Sequence, residues 1–99
     1  MRTRYDDKVQ ELRRAVLDGP GELDREARHA AFSGAAVPPE AAAYVEKLRR
    51  HAYKVTDRDV EALLAAGWSE DQVFELTVAT ALGEGGKRVD AALRAMEAE

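Results

Sequence analysis

Val55-Thr56-Asp57-Arg58-Asp59-Val60-Glu61-Ala62-Leu63-Leu64-Ala65-Ala66-Gly67-Trp68-Ser69-Glu70-Asp71-Gln72-Val73 contains two helix starts and the helix stop between them. Thr56 followed by Asp59 has the spacing of a capping box, with Asp where Glu or Gln is usual, and Val55 with Val60 stands where a hydrophobic staple would. Leu63 and Leu64 continue that helix to Gly67, whose tolerance of a left-handed backbone suits a helix end. Ser69 with Gln72 makes a second box and Trp68 with Val73 a second staple. A new helix therefore begins at Glu70, and Trp68 is expected to be buried at the corner between the two.

Helical periodicity extends in both directions from this stretch, with no run of strand alternation. Toward the C-terminus, Val73, Leu76, Thr77, Thr80 and Ala81 share a face up to Gly83-Glu84-Gly85-Gly86, where the cost of glycine predicts a break or sharp kink. A last helix is then expected from Lys87 to about Glu97, carrying Val89, Ala92, Leu93 and Met96. Toward the N-terminus, Pro38-Pro39 starts a helix whose stripe is Ala41, Tyr44 or Val45, Leu48, Ala52 and Val55. Its opposite face, Glu46, Lys47, Arg49, Arg50 and Lys54, is expected to lie in water. A short helix from about Leu23 to Phe32 ends at Ser33-Gly34. The first helix, about Asp6 to Leu17, has Tyr5, Val9, Leu12 and Val16 on one stripe and stops at Gly19-Pro20-Gly21. The expectation is an all-α, compact bundle of five or six helices in one domain spanning 1–99.

Composition narrows the function. The chain has 99 residues, 15 Lys+Arg against 19 Asp+Glu and no cysteine. The missing thiols exclude disulfides, thiolate nucleophiles and CxxC redox pairs. A net charge of -4 is the reverse of the basic footprint needed to hold phosphate backbones, so no nucleic-acid partner is expected. Met1-Arg2-Thr3-Arg4 leads into Tyr5-Asp6-Asp7-Lys8 rather than an apolar signal core, and the near-apolar run Leu76 to Leu82 is too short to cross a bilayer. A cytoplasmic protein with no membrane partner is the expectation. Aromatics are only 6% and much of the apolar content is alanine, so an isolated copy would be thinly packed and self-association is expected.

Tyr44-Val45-Glu46-Lys47-Leu48-Arg49-Arg50-His51, followed by Leu63 through Leu76 with its Gly67-Trp68-Ser69-Glu70-Asp71-Gln72 join, resembles the alkylhydroperoxidase D-like and carboxymuconolactone decarboxylase superfamily. The resemblance covers Pro38 to Met96, within a 38–97 core preceded by the helices of 1–34. In the peroxidase branch the first block would read C-x-x-C-x-x-x-H. Anchored on His51, the cysteine positions fall on Tyr44 and Lys47, so the histidine is kept and both sulfurs are gone. The resemblance implies an alkylhydroperoxidase-like bundle completed by association into trimers or hexamers, without thiol peroxidase activity, that binds a small molecule or runs a non-thiol reaction.

Three residues are candidates for chemistry. His51 can act as acid or base near neutral pH. Tyr44 can hydrogen-bond a carbonyl, and Lys47 can stabilise an oxyanion or enolate. Each also has a plain structural reading: a solvated histidine among Arg49, Arg50 and Lys54, a core tyrosine with its hydroxyl at the rim, and a charged helix surface. His29 and His51 lie on different helices without paired carboxylates, so no metal or cofactor is assigned. Two rival readings remain. One is a decarboxylase-like enzyme using His51 on a small lactone or acid. The other is a helical interaction module presenting Gly67-Trp68, akin to a ubiquitin-associated domain.

Overall fold

The computed structural model describes residues 4–97 and resolves them into α1 (Arg4–Asp18), α2 (Arg25–Ser33), α3 (Pro39–His51), a single 3-10 turn at Ala52–Lys54, α4 (Asp57–Ala65) and α5 (Glu70–Glu97). No strand occurs among the described residues. The five helices form an all-α bundle in which α5 is the axis and α1, α2, α3 and α4 all pack on it.

Local chemistry sets the helix ends. Both boxes form: the Asp59 carboxylate accepts from the Thr56 N–H at 2.8 Å, and the Gln72 side chain accepts from the Ser69 N–H at 2.9 Å while the Gln72 N–H donates to Ser69 Oγ at 3.1 Å. Asp24 caps α2 by accepting from the Ala27 N–H at 2.7 Å. Gly34 ends it in the left-handed region at φ 86°, and Gly67, at φ 102°, turns the chain between α4 and α5. Pro39 opens α3, where proline gives up no helical hydrogen bond.

The core consists of Leu17, Leu23, Tyr44, Val45, Leu63, Val73 and Leu76 together with Ala27, Ala31, Ala41 and Ala79. Small side chains let the helices approach closely. At the α2–α5 crossing a methyl group on Gly83 would overlap the backbone carbonyl of Phe32. Both Tyr44 and Val45 are buried, so the α3 stripe is wider than a single choice between them, whereas Ala52 lies exposed in the 3-10 turn.

Four expectations are corrected. Gly83 to Gly86 neither breaks nor ends a helix, because α5 runs unbroken through it for 28 residues. A helical glycine costs about 1 kcal/mol relative to alanine but keeps its N–H donor, and at Gly83 the close approach to α2 offsets that cost. Trp68 is half-buried rather than buried, its ring packed on the core and its indole N–H donating to Glu40 at 3.2 Å. Lys47 and Arg49 are not free in water. Lys47 holds Asp59, and Arg49 donates to the Ala31 carbonyl at 3.1 Å, near the C-terminal end of α2 where a cation is favoured. Finally, Val9 and Leu12 of the α1 stripe stay exposed, at 43% and 51%. The Tyr5 side chain lies outside the described residues.

At 1.5 Å per residue, α5 is about 42 Å long, which accounts for most of the 49 Å long axis. The radius of gyration, 14.8 Å, exceeds the roughly 13 Å of a spherical domain of this length. The surplus lies toward the C-terminal end of α5, where every residue from Lys87 to Glu97 is exposed. No helix among the described residues is long and apolar enough to cross a membrane.

Candidate functional site

Tyr44, Lys47 and His51 lie on one helix but do not converge. The Tyr44 ring is buried and its hydroxyl pairs with Thr77 Oγ1 of α5 at 2.7 Å. Thr77 in turn donates to the Val73 carbonyl at 2.7 Å, which leaves the phenol to donate to Thr77. Lys47 faces α4, reaching both oxygens of Asp59 at 2.9 and 3.1 Å. The Lys47 ammonium first, and then the Thr56 N–H, hold the Asp59 carboxyl below its ordinary pKa. His51 ends α3 in solvent, edge-on to the Tyr53 ring at 6.0 Å. The three point to three different neighbours, and none of them lines the cleft beside α2 or the grooves between α1 and α5.

Two other polar groupings were not singled out by the sequence. At the end of α1, Asp18 accepts from His29 Nε2 at 2.7 Å and Arg25 at 2.8 Å, and these bonds, that of His29 first, lower its pKa. His29 also lines an open cleft of about 500 Å³ between α2 and the Ala35 to Pro38 loop, whose walls mix alanines with Asp24, Glu26 and Ser33. Arg28, on the next position of α2, is 4% exposed. Its Nη1 donates to the carbonyls of Gly19 at 2.8 Å and Val16 at 3.1 Å, where α1 ends and helix carbonyls lack partners. Glu75 of α5 holds the same join from the other side, accepting from the Glu22 N–H at 3.0 Å. Among the described residues no cluster of three metal-ligating side chains occurs.

The largest unpartnered feature is apolar. Val89, Leu93 and Met96 follow one another at helical spacing on the projecting part of α5 and are 58%, 51% and 71% exposed. Val9 and Leu12 of α1 lie beside Val89, where the two helices enclose a groove of about 320 Å³ lined also by Leu82, Gly85 and Gly86. A methyl group on Gly85 would meet nothing within 4 Å, so the groove floor is open backbone. Arg13 stands at its edge, stacked on Phe32 with the guanidinium 5.6 Å from the ring centre and with its buried Nε unbonded. Further along the same helix Phe74 is 67% exposed. Exposed apolar patches are a general feature of contact surfaces.

Compared with family models, curated proteins and solved structures, the chain finds no match in any of the three. Its own geometry presents an exposed apolar face on α1 and α5, and among the described residues Tyr44, Lys47 and His51 do not converge.

Proposed function

We propose that this chain is the subunit of a homo-oligomer, a cysteine-less protein of the alkylhydroperoxidase and carboxymuconolactone decarboxylase kind, that associates through α1 and the C-terminal half of α5 and acts by binding a small molecule or in a non-thiol reaction. The observation that carries the reading is the set Val89, Leu93 and Met96 on α5 with Val9 and Leu12 on α1, 43% to 71% exposed. Side chains of this size each bring on the order of 100 Å² of apolar area to a contact. Two such faces and their groove walls together approach the roughly 1,200 Å² at which specific interfaces begin. A trimer or hexamer satisfies the reading equally, since either covers the face on every copy.

The test is to place a charge in the face without touching the core. Leu93→Glu should leave the circular dichroism of the chain unchanged and reduce its mass in sedimentation to that of one copy. If Leu93→Glu sediments as the wild-type chain does, the face is not the contact.

A further inference from the structure

One face of α5 has nearly the same apolar pattern read from either end, with Gly85 at its midpoint. Phe74 and Met96 each stand eleven residues from Gly85, Val78 and Ala92 seven, and Ala81 and Val89 four. Separations of four, seven and eleven residues are close to one, two and three helical turns, so the seven positions share a face about 33 Å long. Phe74, Val89 and Met96 are 67%, 58% and 71% exposed, Ala81 and Ala92 are exposed, and Val78 and Gly85 are half-buried. A methyl group on Gly85 would meet nothing within 4 Å, so the midpoint is open to close approach by another backbone. Charge, by contrast, is unevenly divided. From Glu70 to Glu84 the helix carries Glu70, Asp71, Glu75 and Glu84 and no cation, whereas from Gly85 to Glu97 it carries Lys87, Arg88 and Arg94 against Asp90 and Glu97.

Resting on the association proposed above, we infer that a second copy covers this face with its own α5, the two helices running antiparallel about a two-fold axis at Gly85. In that register Phe74 of one copy meets Met96 of the other at both ends of the contact. Val78 meets Ala92 and Ala81 meets Val89, a larger side chain against alanine in each layer, which is how facing helices interdigitate without voids. Gly85 faces Gly85 where the backbones come closest. The acidic half of each helix lies along the cationic half of the other, whereas a parallel pair would set four carboxylates beside four. Leu93 and, from α1, Leu12 and Val9 flank the seam at 51%, 51% and 43% exposure. With Phe74 in the face, two copies bring together roughly 1,200 Å² of apolar surface, the size at which specific interfaces begin. A two-fold contact uses the same patch on both copies. The subunit number is therefore even, a dimer or a hexamer of three such pairs, and a lone trimer is excluded.

Because the chain has no cysteine, a single introduced thiol reports on one position alone. Val78→Cys and Ala92→Cys, each with wild-type circular dichroism, are unfolded together in urea, refolded as a mixture and oxidised in air, and linked chains are separated on a non-reducing gel. A disulfide needs Cα atoms within about 7 Å. The antiparallel register sets like positions about 21 Å apart along the helix axis. Neither variant refolded alone should therefore link, and the mixture should yield a linked pair containing one chain of each. Linking of either variant to itself would overturn the antiparallel register, since that is the product of a parallel pair. No link in the mixture, from a chain whose light-scattering mass is a multiple of 10.9 kDa, would overturn the α5 pairing and leave the association itself standing. A mass of one chain would remove both.

Discussion

The two halves of α5 obey the same helical geometry and face opposite environments. From Glu70 to Gly83 the helix is the centre of the bundle: Leu76, Ala79 and Thr80 have no exposed surface, and Thr80 satisfies its hydroxyl on the Leu76 carbonyl at 2.8 Å. From Glu84 to Glu97 the helix continues without change of hydrogen bonding, yet Val89, Leu93 and Met96 face outward. Continuity of the backbone therefore says nothing about where the energy of burial comes from. The first half is stabilised by its own chain. The second carries apolar residues that its own chain leaves half exposed or more, and most helical stability in proteins comes from tertiary packing.

The largest expected effect is at Leu76. Leu76→Ala removes a fully enclosed side chain and should cost about 2–5 kcal/mol in denaturant unfolding, whereas Leu93→Ala should cost no more than about 0.5 kcal/mol when measured at a concentration where only single copies remain. Equal losses would erase the distinction between the halves.

The glycines sharpen the same contrast with opposite signs. Gly83→Ala would drive a methyl group into the Phe32 carbonyl and should destabilise by about 1–3 kcal/mol, the usual cost of overpacking. Gly85→Ala, with open space around the added carbon, should raise single-copy stability by about 0.5–1 kcal/mol through helix propensity. In the associated protein Gly85→Ala should instead weaken the contact, because the methyl group would stand on the groove floor. Thermal unfolding at two protein concentrations separates the two results.

The smallest effect is electrostatic. Asp59 and Asp18 both have pKa values lowered in the folded chain, by Lys47 and the Thr56 N–H and by His29 and Arg25 respectively. A carboxylate whose folded pKa lies below its unfolded value of about 3.9 adds stability that is complete above that value and lost as pH falls through the folded pKa. The melting temperature should therefore be insensitive to these two groups between pH 5 and 8 and should fall below about pH 4. Lys47→Met should flatten part of that acid limb. An unchanged acid limb would show that the Lys47–Asp59 contact contributes nothing, as many exposed pairs do.

What the sequence disclosed and what it concealed divide along the same physical line. The boxes at Thr56 and Ser69 and the glycine ends at Gly34 and Gly67 could be read because a cap is settled by residues three or four apart. The fate of Gly83 to Gly86 could not, since whether a helical glycine is a break or a contact depends on which backbone lies across from it, and Phe32 is distant in sequence. Trp68 was placed at the correct corner but is half-buried, its indole N–H turned to Glu40. Arg28 left only a faint signal. It sits one residue after Ala27 and three before Ala31, on the apolar side of α2, where a charge asks for an explanation. Tyr44, Lys47 and His51 share a helix, as their spacing requires, but the neighbours that divert Tyr44 and Lys47, Thr77 and Asp59, belong to other helices.

The most direct test of the account is the solution mass of the unmodified chain, measured by light scattering across a dilution series. The exposed face of α1 and α5 calls for a multiple of the 10.9 kDa chain that persists on dilution. A mass of one chain at every concentration would contradict the association face and leave the C-terminal half of α5 without a role.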